Sequence, residues 1–337
     1  MAMSGELKLE FRKAKTALEE AETICIISHK NPDGDAVGAN LALRFALEEQ
    51  GKKVISACVD PVPENCLWLK KADTFVQDFD PAEFDVFVAV DCGAVKLIGF
   101  DKDKPEILSG KNPFINFDHH FSNELFGTIN PVDTDACSAC SIVYEFMNFC
   151  GWWISRDMAT CLLHGIYFDT GGLMHSNTTA SVFKTAGALM SKGAELRRIS
   201  KELFHTTPVN KLRLLGRILE RAHKNEEGVV VSAVGKDDYK ACETDSASAT
   251  GAIDFLNAVP DAKYCILLSE DEEKGIVKGS LRTQREDVNL SEVAAQWGGG
   301  GHPKASGFGL PGHLQPVINW KVVPENGGEA HGEEMKF

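Results

Sequence analysis

TICIISHKNPDGDAVGA, residues 23–39, decides how this chain folds. Thr23 to Ser28 is an uncharged run ended by turn residues, and it reads as a strand buried on both faces. Asn31-Pro32-Asp33-Gly34 then turns the chain. From about Ala36 through LALRFALEE the apolar residues take helical spacing, and Gly51 closes that helix. Outward from this unit the pattern repeats. KVISACV (53–59) reads as a second strand, DVFVAV (85–90) as a third ending at Asp91, and PFINF (113–117) as a fourth ending at Asp118. Strands alternating with helices at this spacing predict an α/β fold, a parallel sheet with helices on both faces. Ligands of such open sheets bind beyond the carboxyl ends of the strands. His29 to Asp35, Asp91 and Asp118-His119-His120 each follow one of these runs directly.

From about residue 136 the periodicity turns helical, in ACSACSIVYEFMNFC, DMATCLLHGIYFDT and SVFKTAGALMSKG. Residues 190–222 are rich in Lys, Arg and Glu and read as connecting helices. Strands return after Gly228, as VVVSAV, KYCILLSE and GIVKGSLRT. The expected division is residues 1–195 for a catalytic domain, 196–225 for a helical linker, 226–315 for a smaller α/β substrate-binding domain, and 316–337 for an acidic, Gly-rich tail.

With 337 residues the chain is long enough for two cores. No apolar run approaches the roughly 20 residues that span a bilayer. MAMSGELKLEFRKAKTALEEAE is a charged amphipathic helix, not a secretion signal, so a cytoplasmic location is expected. The ten cysteines are scattered, several inside apolar runs, as suits reduced thiols that pack as small hydrophobes. Cys137 and Cys140 make a lone CxxC for which helix packing outranks zinc or redox use. The net charge of −14 opposes a grip on long nucleic acid, which calls for a basic surface. A nucleotide substrate is therefore expected to be short, and no membrane partner is expected.

The clusters carry the chemistry. His29, Asp33 and Asp35 converge only if the chain turns tightly, which Pro32 and Gly34 allow; the bland alternative is that Asp33 and Asp35 cap the next helix. Asp91 closes its strand as the natural bridge between two metals. Asp118-His119-His120 is the most specific element: one imidazole binds metal, the other faces a phosphate, and the aspartate orients the pair. Asp169, at the end of an apolar helical run, is costly to bury alone; either Thr170 and the glycine pair make it a helix-end turn or, the favoured reading, it closes the metal site. Hard oxygens with a few nitrogens suit two divalent cations, and that site suits phosphate esters or anhydrides. Far along the chain, Gly298 to Gly301 with His302 and Lys304 suits a backbone that approaches a phosphate, and Arg282 offers a bidentate contact. Hinge glycines and an exposed strand arginine are the competing readings. His164, His175, His205 and His223 read as surface or packing residues.

HKNPDGDAVGA, Asp91, the DHH at 118–120, FDTGG and GGGGHPKASGF, in that order, resemble the motifs of the DHH phosphoesterases with a DHHA1 domain, over roughly residues 20–315. The resemblance is strongest to the oligoribonuclease and pAp-phosphatase branch, the nanoRNases; FSNELFGTIN and HSNTT also look like it. It implies an active-site cleft between the DHH and DHHA1 domains and two divalent ions, typically Mn2+. His29, Asp33 and Asp91 would hold the first ion; Asp35, Asp91, His119 and Asp169 would hold the second. His120 would contact the scissile phosphate with Asp118 behind it. Arg282, Gly299, Gly300, Gly301 and His302 would hold the substrate's far end. Relatives often carry a basic or aromatic residue where this chain reads Gly172-Leu173-Met174-His175, which bears on substrate preference and not on metal binding.

The reading reached from residues and resemblance is a two-metal phosphodiesterase that takes short oligoribonucleotides or dinucleotides such as pApA to mononucleotides, with pAp phosphatase activity alongside. Its rivals are a cyclic di-AMP phosphodiesterase, a pyrophosphatase or exopolyphosphatase on the same fold, and a nucleotide-binding regulator without turnover. A homodimer is compatible with the resemblance.

Overall fold

The computed structural model describes residues 4–315; the tail read at 316–337 and the first three residues lie outside the described residues. The chain forms two compact units, Met1–Thr206 and Thr207–Phe337.

The first unit begins with helix α1 (Gly5–Glu20), whose Ser4 hydroxyl accepts the Leu7 N–H as an N-cap. It continues as β1 (Thr23–Ser28), α2 (Gly34–Glu49), β2 (Lys53–Ala57), β3 (Val86–Val90), the short α3 (Val95–Ile98), β4 (Phe114–Phe117), α4 (Ala139–Cys150), α5 (Arg156–Asp169), α6 (Ala180–Ser191) and α7 (Leu196–Phe204). The sheet runs β2-β1-β3-β4 with every pairing parallel. That order reverses direction between β1 and β3, the switch point where open α/β sheets leave a crevice. Register does the rest. Ser28 stands opposite Val90, and Val90 opposite Phe117. The next residue of each strand, His29, Asp91 and Asp118, therefore leaves the sheet at one level on one rim.

Both faces of the sheet are covered, unequally. Ile24, Ile26, Val88, Ile115 and Phe117 face a core shared with α1, α2, α4 and α5, centred on residues such as Phe11, Leu41, Phe146 and Leu163. Cys25, Ile27, Phe87 and Phe114 point the other way, into a cluster closed by Phe79, Phe84, Ile98 and Phe100 from the loops, 3-10 turns and α3. Each fully buried Ile, Leu or Phe contributes about 1.5–3 kcal/mol.

Helices α2 and α5 cross very closely because they meet through glycine. A Cβ on Gly38 would lie 2.5 Å from the Cys161 carbonyl oxygen, and one on Gly165 would lie 2.3 Å from Cys140 Sγ and 2.5 Å from Asp35 Oδ1. Glycine's missing side chain is what lets the first turn of α2 reach the last turns of α5. Cys140 fills this junction as packing, and among the described residues all the cysteines are free thiols.

The second unit comprises α8 (Val209–Glu220), β5 (His223–Lys224), β6 (Val230–Val234), α9 (Lys236–Cys242), α10 (Ala252–Leu256), β7 (Cys265–Asp271), β8 (Ile276–Arg282), α11 (Leu290–Ala295), β9 (Gly300–His302) and β10 (Ala305–Pro311). Its sheet runs β5-β6-β7-β8-β10-β9; β6 and β7 are parallel and the other pairs antiparallel. Leu214 and Ile218 of α8 pack with Ile253 and Leu256 of α10 on one face, while Leu290 and Ala294 of α11 pack with Phe308 and Leu281 on the other. Residues 196–225, read as a linker, are divided, with α7 in the first unit and α8 in the second.

The glycine run is not a free loop. Gly300 and Gly301 belong to the edge strand β9, with Gly300 opposite Gly307 and Gly301 opposite Ser306. A Cβ on Gly299 would sit 2.2 Å from the Gly307 carbonyl oxygen, so packing alone calls for glycine there. Among the described residues no helix is long and apolar enough to cross a membrane.

Candidate metal centre

Three loops and one helix end deliver the acidic and imidazole groups. After β1 the chain turns through Asn31, at φ +52°, and Asp33 caps α2, its Oδ1 accepting from the N–H groups of Asp35 (2.9 Å) and Ala36 (3.1 Å). The capping role foreseen for Asp33 is thus real, and its carboxylate still stands 4.0 Å from His29 Nε2. Asp35, fully buried, serves a different helix: it accepts from Ala139 N (2.5 Å) and Cys140 N (3.0 Å), the start of α4. Asp91 follows β3 in the left-handed region at φ +57°, a conformation that costs a non-glycine residue about 1–2 kcal/mol and here turns its carboxylate inward.

These groups meet around Asp91. One carboxylate oxygen lies 3.5 Å from His29 Nε2; the other lies 3.5 Å from both His119 Nε2 and His120 Nδ1. His119 Nε2 is also 3.2 Å from Asp169 Oδ2. Candidate ligand atoms fall into close groups: His29, Asp33 and Asp91; Asp35, His119 and Asp169; and Asp91, His119 and His120. Asp91 and His119 each belong to two of them. Imidazole orientation is set from behind. His29 Nδ1 pairs with the Lys30 carbonyl at 2.9 Å, which leaves Nε2 toward the carboxylates. His120 Nδ1 donates to Asp118 Oδ1 at 2.7 Å, leaving its Nε2 free on a half-exposed ring.

The electrostatics show a site short of positive charge. Burial raises the Asp33, Asp35 and Asp169 carboxyls, and their mutual repulsion with Asp91 raises them further. Burial pulls His29 down, but the Asp91 carboxylate outweighs it and holds the imidazole at about 9. Burial likewise raises Asp91, and the imidazoles of His119 and His29 outweigh it, so this carboxyl lies below its ordinary range. Crowding of four carboxylates, Asp35 and Asp91 buried and Asp33 and Asp169 half-buried, disfavours their joint ionisation, and bound cations would relieve it. Asp91 Oδ1 is moreover a buried oxygen that accepts no hydrogen bond, an arrangement that costs stability unless something else satisfies it. Hard oxygens, oriented nitrogens and an orphaned carboxylate oxygen fit divalent cations well.

Sequence reading passed over residues that hold this rim in place. The Asn123 side-chain amide donates to Asp118 Oδ2 and to the Cys92 carbonyl, while its oxygen accepts the Leu125 N–H at 2.6 Å. Asn123 thereby orients the aspartate that orients His120. Asn177 donates to the carbonyls of Cys137 (3.2 Å) and Asp169 (3.3 Å), tying the entrance of α4 to the exit of α5. Asn40, buried on α2, donates to the Ile26 carbonyl and Ser28 Oγ and fixes β1 to that helix. In sequence, loop asparagines look like turn formers. Asn40, a polar residue inside an apolar helical run, carries a readable signal, and Asn123 and Asn177 lie in FSNELFGTIN and HSNTT, the stretches that resemble the family.

In the second unit Arg282, Ala305 and His302 are direct cross-strand partners in β8, β10 and β9, so their side chains share one face, with Arg282 and His302 roughly 10 Å apart. Arg282 Nε lies 3.7 Å from Asp254 Oδ1.

His164, read as surface or packing, is fully buried on α5; its Nε2 lies 3.4 Å from Cys66 Sγ and its Nδ1 has no partner. Burial alone pushes the imidazole from 6.5 down to about 4. The folded state therefore keeps it neutral, and the stability this represents is complete above pH 6.5 and lost as pH falls toward 4. Between pH 7 and 5 the loss is about 2 kcal/mol. Denaturant unfolding of H164Q at both pH values is expected to show a fall smaller than wild type by that amount; equal falls would exclude the buried-neutral state.

The pattern of the DHH family N-terminal domain matches residues 23–166, and that of the DHHA1 domain matches residues 226–319. The bifunctional oligoribonuclease and PAP phosphatase NrnA of Thermus thermophilus is 32% identical over 292 residues, 86% of this chain and 84% of that protein. The protein of the same name from Bacillus subtilis is 25% identical over 297 residues, 86% of this chain and 90% of that one. Among solved structures, an exopolyphosphatase-related protein from Bacteroides fragilis superposes with a TM-score of 0.83 at 24% identity, covering 91% of this chain and 92% of that one; at that identity the likeness speaks for the fold alone.

Proposed function

This chain belongs to the DHH family, with a DHHA1 domain following its DHH domain, and from that premise we propose that it is a manganese-dependent phosphodiesterase acting on short oligoribonucleotides. It would take 5′-phosphorylated dinucleotides to mononucleotides and remove a phosphate from pAp, the two activities in its relatives' names. The observation that carries the reading is Asp91. Its two oxygens face separate ligand groups, in a rim of crowded carboxylates that bound cations would relieve.

In this reading His29, Asp33 and Asp91 would hold one ion, and Asp35, Asp91, His119 and Asp169 would hold the other. Divalent cations bound by these residues would supply Lewis-acid polarisation of a phosphoryl oxygen and a lowered pKa for bound water. The protein's own groups supply the rest. His120, locked through Nδ1 to Asp118, offers Nε2 to a nonbridging phosphate oxygen. Asp118 keeps that tautomer, and Asn123 keeps Asp118 from turning. Arg282 and His302, on one face of the second sheet, offer cationic and hydrogen-bonding groups to a terminal phosphate or nucleotide. The net charge of −14 favours short substrates over long polyanions. The free thiols accord with a reducing compartment, and we place the activity in the cytoplasm.

Purified protein with Mn2+ is expected to convert 5′-phosphorylated diadenylate to AMP and to release phosphate from pAp. EDTA is expected to stop both, and added Mn2+ to restore them. An intact dinucleotide under saturating Mn2+ would sink the phosphodiesterase reading. Full activity after exhaustive chelation would sink the metal.

A further inference from the structure

We propose that Phe121 receives a nucleobase of the substrate, as a stacking platform beside the scissile phosphate; the inference rests on the phosphodiesterase reading and narrows its substrate to ligands that carry a base. Phe121 is 78% exposed and directly follows His120. Exposed apolar side chains are common on protein surfaces, so exposure alone decides nothing. Position does. Phe126, five residues on, packs against the core beneath the sheet, whereas Phe121 joins none of the hydrophobic clusters and directly follows the imidazole whose Nε2 is left free beside Asp91.

The backbone keeps it there. Asn123 N donates to the His120 carbonyl at 3.1 Å, and Glu124 N donates to the Gly93 carbonyl at 3.0 Å. The Asn123 side chain is bound to Asp118 and to the Cys92 carbonyl. A segment pinned on both sides of residue 121 cannot fold its ring into the core. Among the described residues Phe121 packs into no hydrophobic cluster.

A ligand supplies one. Every base has a π-face, so an aromatic side chain beside a phosphate-binding group holds single-stranded nucleotides without reading their sequence. Phenylalanine does so at low entropic cost, having two side-chain torsions. Pyrophosphate and polyphosphate have no such face and gain nothing from Phe121. The ring therefore separates nucleotide substrates from bare phosphate chains.

The test compares wild type, F121A and F121W on three substrates with Mn2+: 5′-phosphorylated diadenylate and two analogues, each lacking one of its bases. F121A is expected to lower kcat/KM for diadenylate about tenfold, within the range of one base–aromatic stack, by raising KM with kcat little changed. The penalty is expected to vanish on the one analogue that lacks the stacked base, and F121W to restore wild-type KM. An unchanged KM in F121A overturns the inference. So does a loss of equal size on all three substrates, which would report general damage to the rim. Wild type that leaves diadenylate intact is a different failure: it removes the phosphodiesterase reading itself.

Discussion

Asp91→Asn is expected to abolish turnover, lowering kcat by roughly 10³-fold or more with the fold intact. Asparagine keeps the shape of the side chain and removes only its charge. Asp91 is the one carboxylate whose two oxygens serve separate ligand groups, so its neutralisation weakens both ion positions at once. Loss of any other single carboxylate leaves one group complete. The change also acts without metal. The His29 imidazole is held at about 9 mainly because Asp91 outweighs its burial, and with asparagine there its pKa is expected to fall in an NMR titration of the metal-free protein. Steady-state rates and Mn2+ titration of D91N make the check. Turnover within about tenfold of wild type would mean that Asp91 does not hold the ions.

The second large effect lies away from the rim. In an ordinary helix, Gly→Ala stabilises by up to about 1 kcal/mol. Gly187 on α6 is such a position, with nothing within 4 Å of an added Cβ. Gly187→Ala is expected to raise Tm by about 2–4 °C. Gly165→Ala is expected to do the opposite. Its Cβ would lie 2.3 Å from Cys140 Sγ and 2.5 Å from Asp35 Oδ1. Overpacking of this kind costs about 1–3 kcal/mol and overrides the propensity gain. To relieve it, α2 must move from α5, and Asp35 must move relative to His119 and Asp169. G165A is therefore expected to lose both Tm and Mn2+ affinity, and the pair G165A and G187A separates packing from helix propensity. A rise in Tm for both variants would refute the close crossing of α2 and α5.

The strand at 23–28 was legible because TICIIS carries no charge between polar boundaries, and VFVAV at 86–90 and PFINF at 113–117 for the same reason. What made their ends into a site was also legible in part, since an acidic or imidazole group follows each run. The crossing of α2 and α5 was not. Gly38 and Gly165 read in sequence as minor weaknesses in helices, and only the packed structure shows a neighbour in the place of each missing side chain. Of the glycines at 298–301, Gly299 and Gly301 are also called for by packing on Gly307 and on Ala305 and Ser306, a reason that the sequence does not display, while Gly300 has open space around it. Cys140, half of a CxxC, is buried filler between helices.

By itself the sequence determined which residue types stand at strand ends, because apolar runs and turn residues act locally and leave a period that can be read. The tertiary structure alone decided which of them meet. Asp35 receives the N–H groups of Ala139 and Cys140 across more than a hundred residues of chain, and the Cys137 carbonyl receives the Asn177 amide from 40 residues away. Such partnerships depend on sheet register and on helix approach set by single glycines. These are properties of packed surfaces, and no spacing along the chain encodes them.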